Sequence, residues 1–318
     1  MSVWLIGAGP MAALHAKVLA ALTTEPVTII ANSATRAAPL AQENGMAFYE
    51  GGLEHAIATL PTPSAAIIAL PVDKLAAAAR SLVAAGVPKV MIEKPGCLTA
   101  VELAPVVDLA EQKDSFVAIA YNRRFFASVI DARKRIEAAG KILSVNFEFC
   151  EDAPRVEALP TPALIKEKWV LANSSHVIDL AFHLCGAPET WDTKTTGTLP
   201  WHPSGADFRG MGVTTKGANF TYYADWRGPG RWGLEIILPT ERLIMRPMEA
   251  LEVMPRGSFR SQVVEIDDQI DKDFKPGLYR QLEAFFATDV SPYLVTARQQ
   301  FDAITNIYNP IANYTLET

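Results

Sequence analysis

The sequence predicts an α/β protein of two domains, a doubly wound parallel sheet followed by an α+β domain with a large, mostly antiparallel open sheet. The chain has 318 residues, about twice the ~150 of a typical domain. Up to residue 121, short apolar runs alternate with alanine-rich helical stretches, which is typical of a parallel sheet with helices on both faces. After residue 121, strand-like runs follow one another directly, which indicates antiparallel pairing. We therefore predict domains at 1–121 and 122–318.

The first domain is predicted to hold alternating strands and helices. Its strands are expected where short apolar and β-branched runs occur, at 3–6, 27–31, 47–49, 65–70, 90–92 and 116–121. Its helices are expected between them, at 10–22, 34–44, 52–59, 73–85 and 99–113. Gly45 and Gly86 mark two of the helix ends, because glycine readily adopts the left-handed conformation that closes a helix.

The second domain is predicted to begin with a helix at 126–139 and a strand at 142–149. A second helix is expected to start at 173–175, where asparagine and serine are good N-cap residues, and to stop at Gly186. Strands then succeed one another from 191 to 266. We expect this domain to bind the substrate. Large apolar sheet faces are rarely left exposed to water, so we also expect it to form a homo-oligomer, a dimer or a tetramer.

The composition excludes several classes of function. The formal charge of -6 and the pI near 5.5 argue against a nucleic-acid partner, since phosphate binding requires a clustered excess of Lys and Arg. The apolar run at 3–6 is interrupted at Gly7, which is too early for a signal peptide or a membrane span, so we expect a cytoplasmic protein with no membrane partner. Cys97, Cys150 and Cys185 are few and far apart, which favours free thiols over disulfides or a zinc site.

The segment from Gly7 to Ala12 follows the first strand, opens the first helix and has the spacing G-x-G-x-x-A. The first glycine permits a sharp turn, Gly9 lets a pyrophosphate approach the backbone, and Ala12 allows close helix packing. Pro10 suits the first helical position, and from Met11 onward free N–H groups face the phosphates. The pattern favours a dinucleotide-binding Rossmann domain over a glycine turn that serves only the structure.

The end of the second strand predicts which dinucleotide is bound. A carboxylate there would bind the ribose 2′-hydroxyl of NAD, but the sequence has Asn32, Ser33 and Arg36, which suit the 2′-phosphate of NADP. We expect NADP(H) to be the favoured cofactor. NAD(H) is the alternative, in which Arg36 is only a solvated residue at the start of a helix.

Ligands of an open parallel sheet bind outside the carboxyl ends of its strands. The residues predicted at those ends, for cofactor or substrate, are Leu70, Pro71, Glu93, Lys94, Tyr121 and Asn122. A lysine beside the nicotinamide can hydrogen-bond a substrate hydroxyl or carbonyl, so Lys94 is the first candidate for a catalytic residue. A surface pair between Lys94 and Glu93 is the structural alternative.

Together these motifs resemble the glucose-fructose oxidoreductase / inositol dehydrogenase family, often called Gfo/Idh/MocA, over essentially the whole length. The resemblance rests on the glycine loop, Glu93-Lys94-Pro95, Tyr121-Asn122-Arg123-Arg124-Phe125 and His176-Val177-Ile178-Asp179-Leu180. It implies a pyridine-nucleotide enzyme that acts on sugars, cyclitols or nucleotide sugars. It also implies that Lys94 occupies the catalytic lysine position, often with a cis bond before the matching proline.

The second catalytic candidate is His176, in the first turn of the predicted second helix. There the helix dipole would keep the imidazole neutral and able to exchange a proton. Many members of the family carry a carboxylate four residues before this histidine, but this sequence has Ala172 there, followed by Asn173. We expect Asn173 or Tyr121 to orient the substrate together with Lys94 and His176.

Other residues of the second half are weaker candidates. His176, Asp179 and His183 share a helix face, yet further ligands at metal-binding spacing are missing, which argues against a metal site. Arg123 is expected to contact the substrate. Aromatic faces stack on sugars and arginines bind phosphate or carboxylate, but most such residues are expected to serve packing, among them Trp201, His202, Arg209, Trp226, Arg231 and Trp232.

The sequence therefore predicts an NAD(P)-dependent oxidoreductase that moves a hydride between nicotinamide and a secondary alcohol or ketone of a small, sugar-like substrate. Lys94 would bind the reacting oxygen and His176 would exchange its proton. The alternative is a non-catalytic sensor or regulatory protein that binds the dinucleotide on the same fold, an interpretation that Ala172 favours.

Overall fold

The computed structural model describes residues 2–315. The strands are β1 (Val3–Ile6), β2 (Val27–Ala31), β3 (Ala47–Glu50), β4 (Ala65–Ile68), β5 (Lys89–Glu93), β6 (Phe116–Ala120), β7 (Ser144–Phe149), β8 (Pro188–Thr196), β9 (Asp207–Thr214), β10 (Asn219–Asp225), β11 (Trp232–Ile237), β12 (Glu241–Met245), β13 (Glu252–Pro255), β14 (Gln262–Val263) and β15 (Val295–Thr296).

The α-helices are α1 (Pro10–Leu22), α2 (Ala34–Asn44), α3 (Gly52–Thr59), α4 (Val72–Ala84), α5 (Ala100–Lys113), α6 (Ala127–Ala139), α7 (Ala153–Ala158), α8 (Ala163–Glu167), α9 (Ser175–Cys185), α10 (Gln269–Asp273), α11 (Leu278–Phe286), α12 (Ala297–Ala303) and α13 (Asn309–Ala312). A 3-10 turn covers Asn122–Phe125, and π-helical turns cover Val170–Ser174 and Ile304–Tyr308. None of the helices within residues 2–315 has the length and apolar character needed to cross a membrane.

The described residues form two compact units. The first contains residues 2–122 and 271–303, and the second contains residues 123–270 and 304–315. The sequence-based prediction assigned 271–303 to the second domain, so the structure differs there. The reason is that β15 pairs with β6 and α12 packs against α5, which brings this late segment back to the first unit.

The first unit is a doubly wound sheet, as predicted. Its strand order is β15-β6-β5-β4-β1-β2-β3, and all neighbours pair in parallel except the short edge strand β15. β1 and β4 are buried along their whole length, as expected for strands covered by helices on both faces. Because β1 lies between β4 and β2, the direction of winding reverses beside it, and the carboxyl end of β1 is where such sheets bind ligands.

The second unit contains a large, mostly antiparallel sheet, again as predicted. Its strand order is β14-β13-β12-β11-β7-β10-β9-β8, and only β7 and β10 pair in parallel. Helix α9 packs on this sheet through Phe182, whose ring lies 5.5 Å from that of Phe147 and 5.3 Å from that of Phe220. This packing fixes the helix that carries His176.

Most of the aromatic residues singled out in the second half serve its core. The indoles of Trp201 and Trp226 stack with ring centroids 5.6 Å apart, and both residues are buried. The buried imidazole of His202 packs on Trp226 and bonds to the carbonyl of Gly205 and the hydroxyl of Tyr314. These contacts confirm that packing accounts for this cluster. The three cysteines are free and buried.

Candidate active site

The glycine loop has the geometry that a dinucleotide pyrophosphate requires. Gly7 has φ 113°, and a Cβ there would collide with the carbonyl oxygen of Ala69, so only glycine fits. Gly9 is extended, and a Cβ there would meet no atom within 4 Å, which leaves its backbone open to a ligand. Pro10 is the first residue of α1, Met11 is half-buried and the helix N-terminus has no side-chain cap among the described residues. The loop therefore fits a phosphate group.

The residues at the end of β2 lie at the start of α2. Asn32, Ser33 and Arg36 are all exposed there, and Ser33 occupies the N-cap position without making a side-chain cap bond. Glu50, at the end of β3, takes over that role: its carboxylate accepts a hydrogen bond of 3.1 Å from the backbone N–H of Ala34.

Glu50 was not among the predicted site residues. β3 runs parallel to β2 with Ala31 opposite Glu50, so the two strands end side by side. A carboxylate from the neighbouring strand thus lies where the sequence of β2 supplies none. The strand register would have been needed to foresee this, because the motif residues alone do not give it.

The ends of β4 and β5 carry the next predicted residues. Leu70 lies beside Gly7, and Pro71 is the N-cap of α4. Glu93 is the last residue of β5, and the following Lys94 is half-buried. The bond between Lys94 and Pro95 is cis, which is the feature implied by the family resemblance.

Glu93 is paired with a histidine that the motif reading missed. Nε2 of His15, on α1, lies 2.7 Å from Oε1 of Glu93. The side chain of His15 is completely buried and that of Glu93 is 12% exposed. The pair joins the phosphate-loop helix to the residue before Lys94, and it holds the Glu93 side chain in a largely buried position.

Tyr121 and Asn122 are more deeply embedded than predicted. Tyr121 is 1% exposed, and its hydroxyl accepts a hydrogen bond of 3.1 Å from the amide of Gln300. The same amide donates to the carbonyl of Pro95 at 2.9 Å. The side chain of Asn122 donates to the carbonyl of Pro276 at 2.8 Å. In the structure, these two residues hold the segment after Lys94 and the late segment of the unit in place.

The segment 271–303 of the first unit also brings a lysine to the glycine loop. Nζ of Lys275 lies 3.5 Å from Sδ of Met11. The segment is fixed by Asp271, which accepts from the N–H of Gly277 at 2.9 Å and from Arg280 at 2.7 Å. Sequence reasoning missed Lys275, because it lies some 260 positions from Met11 along the chain and carries no motif.

The histidine helix of the second unit, α9, begins within the predicted range, but its first turn continues an earlier helical turn. The segment before Ser175 is already helical, since Val170–Ser174 forms a π-helical turn and Ser174 has right-handed helical angles without a cap bond. The predicted start at 173–175 and stop at Gly186 are therefore confirmed, but this start is not a free helix N-terminus. Without one, the dipole argument for a neutral His176 loses its basis. His176 itself is buried, with 8% exposure.

Asn173 is bound to a carboxylate rather than serving as a helix cap. Its amide donates to Oε1 of Glu151 at 3.0 Å, and the hydroxyl of Ser174 donates to the same oxygen at 2.7 Å. Glu151 is 8% exposed and follows β7 closely. A buried carboxylate thus lies beside the turn that contains Ala172. Glu151 follows β7 and lies 22 residues before Asn173, which explains why helical spacing did not point to it.

The other polar residues of α9 are structural. The carboxylate of Asp179 accepts from Arg124 Nε at 2.8 Å and from Nη2 at 2.6 Å, in a bidentate pair that is nearly buried. Burial, reinforced by nearby Arg124, lowers the pKa of His183 to about 2, so this imidazole is neutral. Within residues 2–315 no group of three or more His, Cys, Asp or Glu side chains is arranged to hold a metal ion.

One of the scattered residues, Trp232, lies beside His176 and also contacts Arg123. The guanidinium of Arg123 lies over the indole of Trp232, 4.5 Å from the ring centroid. The same indole lies 6.3 Å from the imidazole of His176. Arg209 instead pairs with Asp207 at 3.1 Å.

Comparisons with known proteins agree with this fold. Residues 1–121 match the family model GFO_IDH_MocA, described as "Oxidoreductase family, NAD-binding Rossmann fold". This match confirms the family resemblance for the domain that holds the glycine loop and Lys94. A comparison with curated proteins gives no match.

Solved structures resemble the chain over nearly its whole length. UDP-N-acetylglucosamine 3-dehydrogenase GnnA from Acidithiobacillus ferrooxidans has TM-score 0.74 and 18% identity, covering 99% of this chain and 98% of its own. A levoglucosan dehydrogenase in complex with NADH has TM-score 0.77 and 20% identity, covering 98% and 96%. An NAD binding oxidoreductase from Klebsiella pneumoniae has TM-score 0.78 and 15% identity, covering 100% and 97%. At these identities the likeness shows the shared fold.

Proposed function

We propose that this chain, whose N-terminal domain belongs to the Gfo/Idh/MocA family of NAD-binding oxidoreductases, transfers a hydride between a nicotinamide dinucleotide and a secondary alcohol or ketone of a sugar-like substrate. The observation that carries the proposal is the position of Lys94 at the carboxyl end of β5, in a sheet whose glycine loop fits a pyrophosphate. Two structural neighbours are named as dehydrogenases of a nucleotide sugar and of levoglucosan, which supports a sugar-like substrate.

The chain's own residues would divide the chemistry between them. The bound dinucleotide supplies or accepts the hydride at C4 of its nicotinamide. The ammonium of Lys94 would donate a hydrogen bond to the reacting oxygen and so stabilise the negative charge that develops there. The imidazole of His176 would take the hydroxyl proton during oxidation and return it during reduction.

Many members of the family carry a carboxylate four residues before the histidine, where this chain has Ala172. In this chain Glu151 offers a carboxylate instead. Ala172 cannot orient an imidazole or accept a proton, whereas the buried Glu151 is fixed beside the turn that leads to His176. We expect Glu151 to favour the protonated form of His176 that arises during oxidation, since a nearby negative charge stabilises imidazolium. Glu151→Gln should therefore lower the pKa of His176 and shift the acid limb of the pH–rate profile of oxidation to lower pH. An unchanged profile would leave Glu151 with a structural role only.

For the cofactor we propose NADP(H) as the favoured form, with NAD(H) as the alternative. The exposed guanidinium of Arg36 supports a 2′-phosphate, and the carboxylate of Glu50 at the start of α2 opposes it. Comparing the affinities for NADPH and NADH would measure which of these two side chains has the larger effect.

The decisive experiment is a turnover assay with the purified chain. It would be offered NADP+ and NAD+ with a panel of sugars, cyclitols and nucleotide sugars, and the formation of reduced cofactor would be followed. We expect oxidation of at least one class of the panel, in a reaction that needs the carbinol hydrogen and so slows when that hydrogen is replaced by deuterium. Tight cofactor binding without turnover of any member would favour the sensor interpretation instead.

A further inference from the structure

Arg123 lies in an environment that leaves one of its donor atoms without a hydrogen-bond partner among the described residues. Its guanidinium covers the face of Trp232 at 4.5 Å, and its Nη1 is buried with no hydrogen-bond partner in the described part of the chain. A face of an indole attracts a cation but cannot neutralise it. A buried donor that makes no hydrogen bond costs free energy, so the arrangement requires an explanation.

The nearby carboxylates do not pair with this guanidinium. Burial lowers the pKa of Arg123 to about 10, and Glu249 and Glu151 act in the opposite direction. Neither forms an ion pair with Arg123 among the salt bridges within residues 2–315: Glu151 is held by Asn173 and Ser174, and Glu249 is exposed. Arg123 therefore remains cationic at neutral pH, and within residues 2–315 no carboxylate forms an ion pair with it.

Arg123 also lines a pocket of about 250 Å³ in the second unit. A second guanidinium belongs to the same wall, since Arg231 precedes Trp232 and its side chain is exposed. The backbone N–H of Arg231 donates to Glu148 at 3.2 Å, which fixes the point where its side chain leaves the main chain. The lining consists of Arg123, Arg231, Trp232, Pro247, Met248 and Glu249.

The pocket is close to the candidate proton-transfer residue. Trp232 is part of the pocket wall, and its ring centroid lies 6.3 Å from that of His176. A group bound beside Arg123 would therefore be separated from the imidazole of His176 by about the width of the Trp232 ring, which is comparable with the width of a monosaccharide ring.

We propose that Arg123 and Arg231 form an oxyanion subsite, and that the substrate carries a carboxylate or phosphate group that binds there while its carbinol lies near His176. The inference rests on the proposed hydride transfer and specifies its substrate as an anionic sugar. Guanidinium groups bind both oxyanions through paired, charge-assisted hydrogen bonds, and the two guanidinium groups in the wall outweigh the single carboxylate of Glu249.

The test compares matched sugars that differ only in charge. Glucose and galactose are the neutral probes, glucuronate and galacturonate carry the carboxylate, and glucose 6-phosphate and galactose 6-phosphate carry the phosphate. Dissociation constants would be measured by calorimetry with the dinucleotide bound, and kcat/KM would be measured separately. We expect one of the anionic series to bind at least about 10-fold more tightly than its neutral partners, the usual contribution of a charge-assisted hydrogen bond.

Three variants assign the effect to the pocket. Arg123→Gln and Arg231→Gln should each reduce the affinity for the anionic sugar about 10-fold or more while changing that for the neutral sugar less than about 3-fold, and Arg123→Lys should restore part of it. Arg209→Gln, which removes an exposed arginine of the same unit, serves as the matched control. Thermal unfolding would show that each variant is folded.

The outcomes separate the subsite from the hydride transfer. Oxidation of neutral sugars with no gain from an anionic group would overturn the subsite and leave the proposed function standing. Binding of an anionic sugar that depends on Arg123, without any turnover, would support the subsite and count against the proposed function. Equal binding of all probes, or binding of none, would contradict the subsite.

Discussion

The imidazole of His15 lies 2.7 Å from the carboxylate of Glu93, so a fully buried histidine on the phosphate-loop helix is paired with the residue that precedes Lys94. We expect the pair to contribute to stability beyond the sum of its members. In a double-mutant cycle with His15→Leu and Glu93→Gln, the coupling free energy of unfolding should be about 1–3 kcal/mol, because each single change leaves the other polar group buried without this partner. Urea unfolding of the four proteins measures it, and additive effects would show that the contact contributes nothing.

The choice of cofactor should depend on two opposed charges at the start of α2. Arg36→Gln is expected to weaken NADPH binding about 5- to 10-fold and to leave NADH within about 2-fold, since only NADPH carries the 2′-phosphate. Glu50→Gln should improve NADPH binding by removing a negative charge beside the same group. Fluorescence titration with both cofactors measures the effects. If wild type prefers NADH clearly and Arg36→Gln changes neither affinity, the preference for NADP(H) is wrong.

Lys275 is expected to strengthen the binding of both dinucleotides. Its ammonium lies against Met11, in the first turn of α1, where the pyrophosphate is expected. Lys275→Met should weaken NADPH and NADH by the same factor, about 5- to 10-fold, because the pyrophosphate is common to both. Lys113→Met, in the last turn of α5, is the control for loss of one positive charge. A selective effect on NADPH would instead connect Lys275 with the 2′-phosphate.

The buried His202 should make the second unit sensitive to acid. Burial lowers the pKa of His202 to about 4, whereas in the unfolded chain it lies near about 6.5. Below about pH 6.5 the unfolded state takes up a proton that the folded state does not, so the free energy of unfolding falls as the pH falls. The loss should reach about 2 kcal/mol at about pH 5 and cease below the folded pKa. Denaturant unfolding at about pH 7 and about pH 5 checks this. His202→Gln is expected to reduce the dependence by this amount and to keep the part that comes from His183, whose pKa burial also lowers.

The sequence was sufficient to predict the helices and strands whose bounds depend on residues close together in the chain. Apolar periodicity and glycine stops predicted α1, α2 and α3 at the bounds observed, and β1 and β2 likewise. The glycine loop, the Glu93-Lys94-Pro95 segment and the antiparallel character of the second half also follow from residues close in sequence. These features depend on backbone propensity and side-chain size, which a short window contains.

Contacts between segments that are distant in the chain could not be predicted from the sequence. Three of these contacts depend on strand register or on helix orientation: His15 with Glu93, Glu50 with the start of α2, and Glu151 with Asn173. The return of 271–303 to the first unit is another case, since β15 has only two residues and leaves almost no periodic signal. The start of the histidine helix at Ser175 was predicted, but the π-helical turn before it was not, because Asn and Ser favour N-caps locally while here the helical chain continues through them.

The central claim is that Lys94 acts on the reacting oxygen, and a single variant tests it most directly. Single-turnover hydride transfer would be measured for Lys94→Met with saturating cofactor and the best substrate of the panel, together with the dissociation constant of the cofactor. We predict that hydride transfer falls by about 10²-fold or more, while cofactor affinity stays within about 3-fold of wild type. An unchanged rate, or a loss confined to cofactor binding, would contradict the catalytic assignment of Lys94.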